Sequence, residues 1–182
     1  MKRLLVIGLC AVLMACGAES NISHEYQCYF VFDTTLHPLP CQLTSVLGNP
    51  GLFVKVESNM VQGVRHLKTT PNYDAAPEDI MLRNEREKTR CDLGANNCII
   101  VGVSSFNGLV AYDGQCANCL VEKGGTNYPL TWQNNGTQLH CAKCGRSYDV
   151  NMNNGVVASG TSGRSLLMYA VAFDGSILRV YN

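Results

Sequence analysis

Cys116-Ala117-Asn118-Cys119 and, further along the chain, Cys141-Ala142-Lys143-Cys144-Gly145 form a pair of C-x-x-C motifs, and their setting decides how the chain is read. Each motif brings two sulfurs together through adjacent backbone turns, and the segment between them is long enough for a hairpin. Four thiolates then converge across two loops, one of the stronger metal signatures a lone sequence carries. The flanking residues alternate and turn as antiparallel strands do. Ile99 to Val103 reads as a strand, Phe106-Asn107-Gly108 as a turn and Leu109 to Tyr112 as the return strand. Leu130 to Gln133 and Thr137 to His140 make a second hairpin around Asn134-Asn135-Gly136, where Asn-Gly supplies the positive φ angles of the turn. Beyond Cys144 come strands at Tyr148 to Asn151 and Val156 to Ala158. Leu166 to Phe173 and Ile177 to Tyr181 then flank the Asp174-Gly175 turn. The fold class is all-β, built of antiparallel hairpins and sheets with a small metal-binding subdomain at about residues 114–150.

The first half is less regular. Tyr26 to Phe32 reads as a first strand, and His37-Pro38-Leu39-Pro40 ends it. Leu52 to Val56 and Val61 to Leu67 read as a hairpin turning at Glu57-Ser58-Asn59. Residues 69 to 90 read as a long surface loop in which Pro77-Glu78-Asp79 opens a short helix through Arg83. Asp74, Glu78, Asp79, Glu85 and Glu87 read as its solvated face.

The run Cys141-Ala142-Lys143-Cys144-Gly145-Arg146-Ser147-Tyr148-Asp149-Val150, followed by Gly155-Val156-Val157-Ala158-Ser159-Gly160, Leu166, Tyr169, Asp174-Gly175 and Leu178-Arg179-Val180, resembles the second half of a Rieske domain. The family pattern is C-x-x-H-G-S-x-Y/F-D, a G-x-V-x-x-G turn and a closing D-G-x-[IL]-x-V hairpin. Asp113-Gly114-Gln115-Cys116 resembles the approach to the first ligand loop. The resemblance implies a Rieske-like fold with a small rubredoxin-like subdomain and ligand positions at Cys116, Cys119, Cys141 and Cys144. It also implies a hydrogen-bond donor to a ligand sulfur at Tyr148 and a backbone requirement at Gly145, for close approach to the metal or positive φ.

Two departures matter. Rieske loops supply two cysteines and two histidines, whereas Cys144 stands at the second histidine position and the first loop is C-x-x-C. Arg146 replaces a serine that often bonds to the cluster. By resemblance the cofactor is a 2Fe–2S cluster and the role is electron transfer beside a redox protein partner. An all-thiolate cluster would carry more negative charge and a lower potential than a His-ligated one. Zinc and mononuclear iron suit the same four sulfurs, and two small disulfide rings are the metal-free alternative. With zinc or with disulfides at these four cysteines the protein is instead a non-redox structural or binding lipoprotein. No catalytic triad is legible among four scattered histidines, and His140, next to Cys141, reads as a strand surface residue. Trp132 and Tyr128 read as packing for the subdomain.

Cys28, Cys41, Cys91 and Cys98 allow three pairings. Closeness in sequence favours Cys91–Cys98 and Cys28–Cys41. The N-terminus begins with Lys2-Arg3 and an apolar run from Leu4 to Met14, then Leu13-Met14-Ala15-Cys16-Gly17, which resembles the lipobox of bacterial lipoproteins. On that reading residues 1–15 are a signal peptide, Cys16 carries the lipid, residues 16–25 are a tether and residues 26–182 a single domain. The protein then sits in the cell envelope, anchored to a membrane on its periplasmic or outer-surface side. Lys2-Arg3 is not a twin-arginine signal, so export runs through the unfolded chain; zinc or a single iron is readily acquired afterwards, a cluster less so. With 14 basic and 14 acidic residues the net charge is zero, which offers no electrostatic footprint for nucleic acid.

Overall fold

The computed structural model describes residues 21–152 and 154–182. The expected signal peptide and the lipidation site at Cys16 lie outside the described residues. Among the described residues thirteen strands and three α-helices follow in the order β1 (Cys28–Asp33), α1 (Gln42–Val46), β2 (Phe53–Val61), β3 (Val64–Pro71), β4 (Glu78–Met81), α2 (Glu85–Thr89), β5 (Cys91–Leu93), β6 (Cys98–Ser104) and β7 (Gly108–Asp113). Then come α3 (Ala117–Lys123), β8 (Thr131–Gln133), β9 (Gln138–His140), β10 (Ser147–Asp149), β11 (Val156–Ser159), β12 (Met168–Phe173) and β13 (Ile177–Tyr181). The all-β reading holds. Among the described residues no helix is long and apolar enough to cross a membrane.

Nine strands form one antiparallel sheet in the order β4-β3-β2-β6-β7-β12-β13-β1-β5. The sheet curls until Cys91 Sγ on β5 stands 3.5 Å from Ser58 Oγ on β2. Its concave face encloses a core that includes Phe30, Phe32, Val54, Val56, Ile99, Val101 and Leu178, closed by Leu43 and Val46 of α1. A second sheet, β11-β10-β9-β8, covers the outer face of β2, β6 and β7. Strand side chains alternate between faces, so Ile99 and Val101 enter the inner core while Ile100 enters the outer one with Phe53, Val110 and Tyr112. That two-sided burial explains why Cys98-Ile99-Ile100-Val101 is a continuous apolar run.

The β8–β9 hairpin is docked on the large sheet by specific bonds. Trp132 Nε1 donates to Thr70 O at 3.0 Å, and Asn72 Nδ2 donates to Gly136 O at 3.1 Å. Gly136 has φ +79° in the turn, and a Cβ there would collide with the Asn72 carbonyl. Trp132 and Tyr128 pack against the outer core, as their sequence setting suggests.

Several boundaries differ from the sequence reading. The β2–β3 hairpin turns at Gln62-Gly63, where φ is +51° and +82°, and β2 runs straight through Glu57-Ser58-Asn59. A two-residue turn with both central residues at positive φ matches the twist of its strands, and Gly63 provides for it. Residues 78–81 are an edge strand, not a helix, because they complete the ladder along β3 from Thr69↔Glu78 to His66↔Met81. The helix of that region starts later, where Asn84 Oδ1 caps it by accepting from Arg86 N at 2.8 Å. Glu87 leaves the solvated face altogether: it is 1% exposed and accepts from Asp33 N at 2.9 Å, with His37 Nε2 at 3.2 Å. The stretch read as the tail of a tether packs at the start of β12, where Ile22 bridges Met168, and Glu25 pairs with Arg164 in the segment before that strand.

The expected disulfides are absent, and Cys28, Cys41, Cys91 and Cys98 are buried free thiols. Cys91 faces the inner core, whereas Cys98 alternates with inward Ile99 and lies against Gly114 on the opposite face. A sheet stands between the two sulfurs. Cys28 and Cys41 both belong to the inner core, and Cys28 Sγ lies 3.9 Å from Val180 O.

Two stability measurements check this packing. Gly136→Ala introduces a Cβ at a positive-φ residue against backbone, and urea unfolding should show a loss of roughly 2 kcal/mol or more; an unchanged midpoint contradicts the docking. Asp174 accepts from Ile177 N, the Arg179 guanidinium and Ser176 N, which hold its carboxyl down at about 2. A folded value below the unfolded one stabilises the protein above the ordinary carboxylate range and is lost as pH falls towards 2. Asp174→Asn should therefore flatten the acid limb of stability between about pH 4 and pH 2, as followed by thermal unfolding across that range.

Candidate metal centre

The first C-x-x-C motif is delivered by the end of β7. Asp113, fully buried there, accepts from Gln115 N at 2.8 Å through Oδ1, and from Ala95 N and the Tyr169 hydroxyl, each at 2.7 Å, through Oδ2. Burial pushes its carboxyl up against the pull of these three donors. Gln115 Oε1 in turn accepts from Tyr128 N at 2.6 Å. These bonds fix the direction in which the backbone enters Cys116.

Here the structure departs from the expectation of two loops between strands. Cys116 is the N-cap residue of α3 and Cys119 lies in its first turn. One signal for this helix is present in the sequence: Ala117 and Leu120, three apart, both pack against Leu167, and Gly124 with φ +70° ends it. The second motif is the turn between β9 and β10. Gly145 N donates to Cys141 O at 2.9 Å, and Gly145 has φ +73°. Nothing would stand within 4 Å of a Cβ there, so the positive φ, not a close approach, calls for glycine.

All four sulfurs lie within 4.8 Å of one another. Cys116 Sγ is 3.6 Å from Cys144 Sγ, and Cys119 Sγ is 3.7 Å from Cys141 Sγ. Cys116, Cys119 and Cys141 are buried and belong to the outer core, while Cys144 is half-buried. Lys143 N and Cys144 N point at Cys141 Sγ, and Arg146 N at Cys144 Sγ. Backbone donors aimed at sulfur in this way stabilise thiolates. Burial pushes the Cys119 thiol up, reinforced by its sulfur neighbours, and pushes Cys141 up to about 11 despite its backbone donors. At Cys144 the burial effect is outweighed by the backbone N–H and guanidinium of Arg146 and by the Cys119 and Cys116 thiols, which bring it down to about 7.

The polar groups around the sulfurs include two, Asn118 and Glu122, that the sequence alone did not mark. Tyr148, as the resemblance implies, brings its hydroxyl to 3.0 Å from Cys116 Sγ. Asn118, between the two cysteines of the first motif, donates from Nδ2 to that hydroxyl at 2.9 Å. Arg146 is 6% exposed and makes two bonds to Glu122 of α3, at 2.8 and 3.1 Å, while Nε donates to Thr161 O at 2.9 Å. The pair clamps α3 to the second motif, and Arg146 holds the Glu122 carboxyl below its ordinary value. His140 turns to Ser147, with Nδ1 3.1 Å from Ser147 Oγ, and is not one of the four-ligand group.

The donor set fits a soft or borderline metal bound by four sulfurs. No family model, curated protein or solved structure matches the chain. Differential alkylation of metal-stripped protein at neutral pH checks the electrostatics. Cys144, half-buried and lowered to about 7, should be modified first, whereas Cys28, which burial pushes up to about 12, should resist. Equal rates at the two residues, mapped by mass spectrometry, contradict this ordering.

Proposed function

We propose that the chain binds one zinc ion through Cys116, Cys119, Cys141 and Cys144, and that the ion serves as a structural staple in a non-enzymatic binding domain of the cell envelope. The observation that carries the single-ion part of this reading is the sulfur spacing. Four sulfurs at about 2.3 Å from a single tetrahedral ion stand about 3.8 Å apart, close to the 3.6 and 3.7 Å found here. A binuclear cluster holds its two thiolate pairs further apart, by the width of its iron–sulfide core, than thiolates sharing one ion. A shell of 4.8 Å across is small for that. Closed all-protein coordination is the habit of structural zinc, since catalytic zinc keeps an open position. The lipobox-like start supports a lipid-anchored envelope location, and export of an unfolded chain suits a metal taken up afterwards.

A second reading is a Rieske-like electron carrier with mononuclear iron or a 2Fe–2S cluster, serving a redox protein partner. The hydroxyl of Tyr148 at 3.0 Å from Cys116 Sγ favours it, because donors to ligand sulfur tune reduction potentials. Metal analysis with a visible spectrum, on protein isolated from the envelope, separates the two. The expected outcome is one zinc per chain in a colourless protein whose Cys144→Ser variant binds zinc at least about tenfold more weakly. A red or brown protein bleached by dithionite overturns the zinc reading in favour of the carrier.

A further inference from the structure

We propose that Asn118 is a positioning residue whose side-chain amide aims the hydroxyl proton of Tyr148 at Cys116 Sγ, and so sets how much negative charge that ligand sulfur carries. The inference rests on the metal reading of the four cysteines and concerns how the site is tuned.

The amide orientation is fixed from both ends. Asn118 Oδ1 accepts from Arg164 N at 3.0 Å, and Nδ2 donates to Arg164 O at 2.8 Å. Flipping the amide would set carbonyl against carbonyl and N–H against N–H, so Nδ2 is the end that faces Tyr148. Gly163 packs so closely on Asn118 Oδ1 that a Cβ there would collide with it, which keeps the side chain in place. Asn118 is 4% exposed, and Tyr148 and Cys116 are both fully buried. These exposures keep bulk solvent away from this chain of groups.

The phenolic oxygen has one proton to give. Since it accepts from Asn118 Nδ2 at 2.9 Å, its own proton is free for its other neighbour, Cys116 Sγ at 3.0 Å. The sequence Asn118 to Tyr148 to Cys116 therefore runs in one direction and ends on sulfur as acceptor, which is the role of a thiolate. A hydrogen bond to a ligand thiolate draws charge from it and weakens its donation to the metal. Tyr148 alone would supply the bond, but Asn118 determines which way the proton points. The position lies between the two cysteines of a C-x-x-C motif, so the same helix turn that delivers the ligands delivers the group that tunes one of them.

The test uses cobalt(II) in place of the native metal, because its thiolate-to-metal charge-transfer band reports sulfur charge directly. Asn118→Asp keeps the size of the side chain but presents a carboxylate that takes the Tyr148 proton away from sulfur. The band should move to longer wavelength by as much as it does in Tyr148→Phe, and the double variant should show no further shift. A shift of Asn118→Asp that persists undiminished in the Tyr148→Phe background overturns the proposal, since it would come from added charge alone. An unshifted band in Asn118→Asp also overturns it. Should that variant fail to fold, the wild-type protein loaded with cadmium-113 provides the check. A scalar coupling from the Tyr148 hydroxyl proton to cadmium through Cys116 Sγ is expected, and its absence, with couplings present from the Lys143 or Arg146 amides, overturns the relay. Failure of the wild-type protein to take up cobalt or cadmium at all is a different result, and it overturns the metal reading instead.

Discussion

Four sulfur atoms confined within 4.8 Å, three of them buried, are the constraint around which the second half of the chain is arranged. As thiolates they repel one another strongly in a desolvated place, and as thiols they are weak donors with poor partners. A metal ion resolves both problems, since it replaces mutual repulsion with four coordinate bonds. The surrounding features follow from that requirement. Asp113 fixes the exit of β7, the N-terminal turn of α3 delivers one pair, and the β9–β10 turn delivers the other with backbone N–H groups pointed at its sulfurs. The Arg146–Glu122 pair then ties the two delivering elements to each other.

The site also explains why two sheets are needed. Strands β6 and β7 carry apolar side chains on both faces, one set in the curled interior and the other under the small sheet. Cys116, Cys119 and Cys141 lie in that outer core with Tyr112, Leu130, Leu139 and Tyr148. The centre is thus the hydrophobic contact between the sheets as well as a ligand shell. An ion bound here would pin α3 and the β9–β10 turn together, which is the mechanical sense of the proposed staple.

The convergence of the four cysteines, the closing hairpins and the all-β class were legible because each rests on local chemistry: cysteine spacing, Asn-Gly turns and alternation. What escaped depends on contacts between distant segments. Residues 78–81 lack the look of a strand but find an open edge along β3. Glu87 sits among charged neighbours in sequence, yet it is buried where α2 meets β1, with Asp33 N and His37 as its partners. The pairing of Cys91 with Cys98, suggested by their nearness, fails because a strand sends successive side chains to opposite faces. Nothing local to Asn118 reveals that Tyr148 and Arg164 converge on it.

The central claim is that these cysteines surround a single ion. X-ray absorption at the edge of the native metal tests it most directly. One shell of four sulfurs at about 2.3 Å with no metal neighbour is the result expected for a tetrathiolate zinc centre. A short metal–metal distance, or nitrogen and oxygen in place of sulfur, would contradict the account.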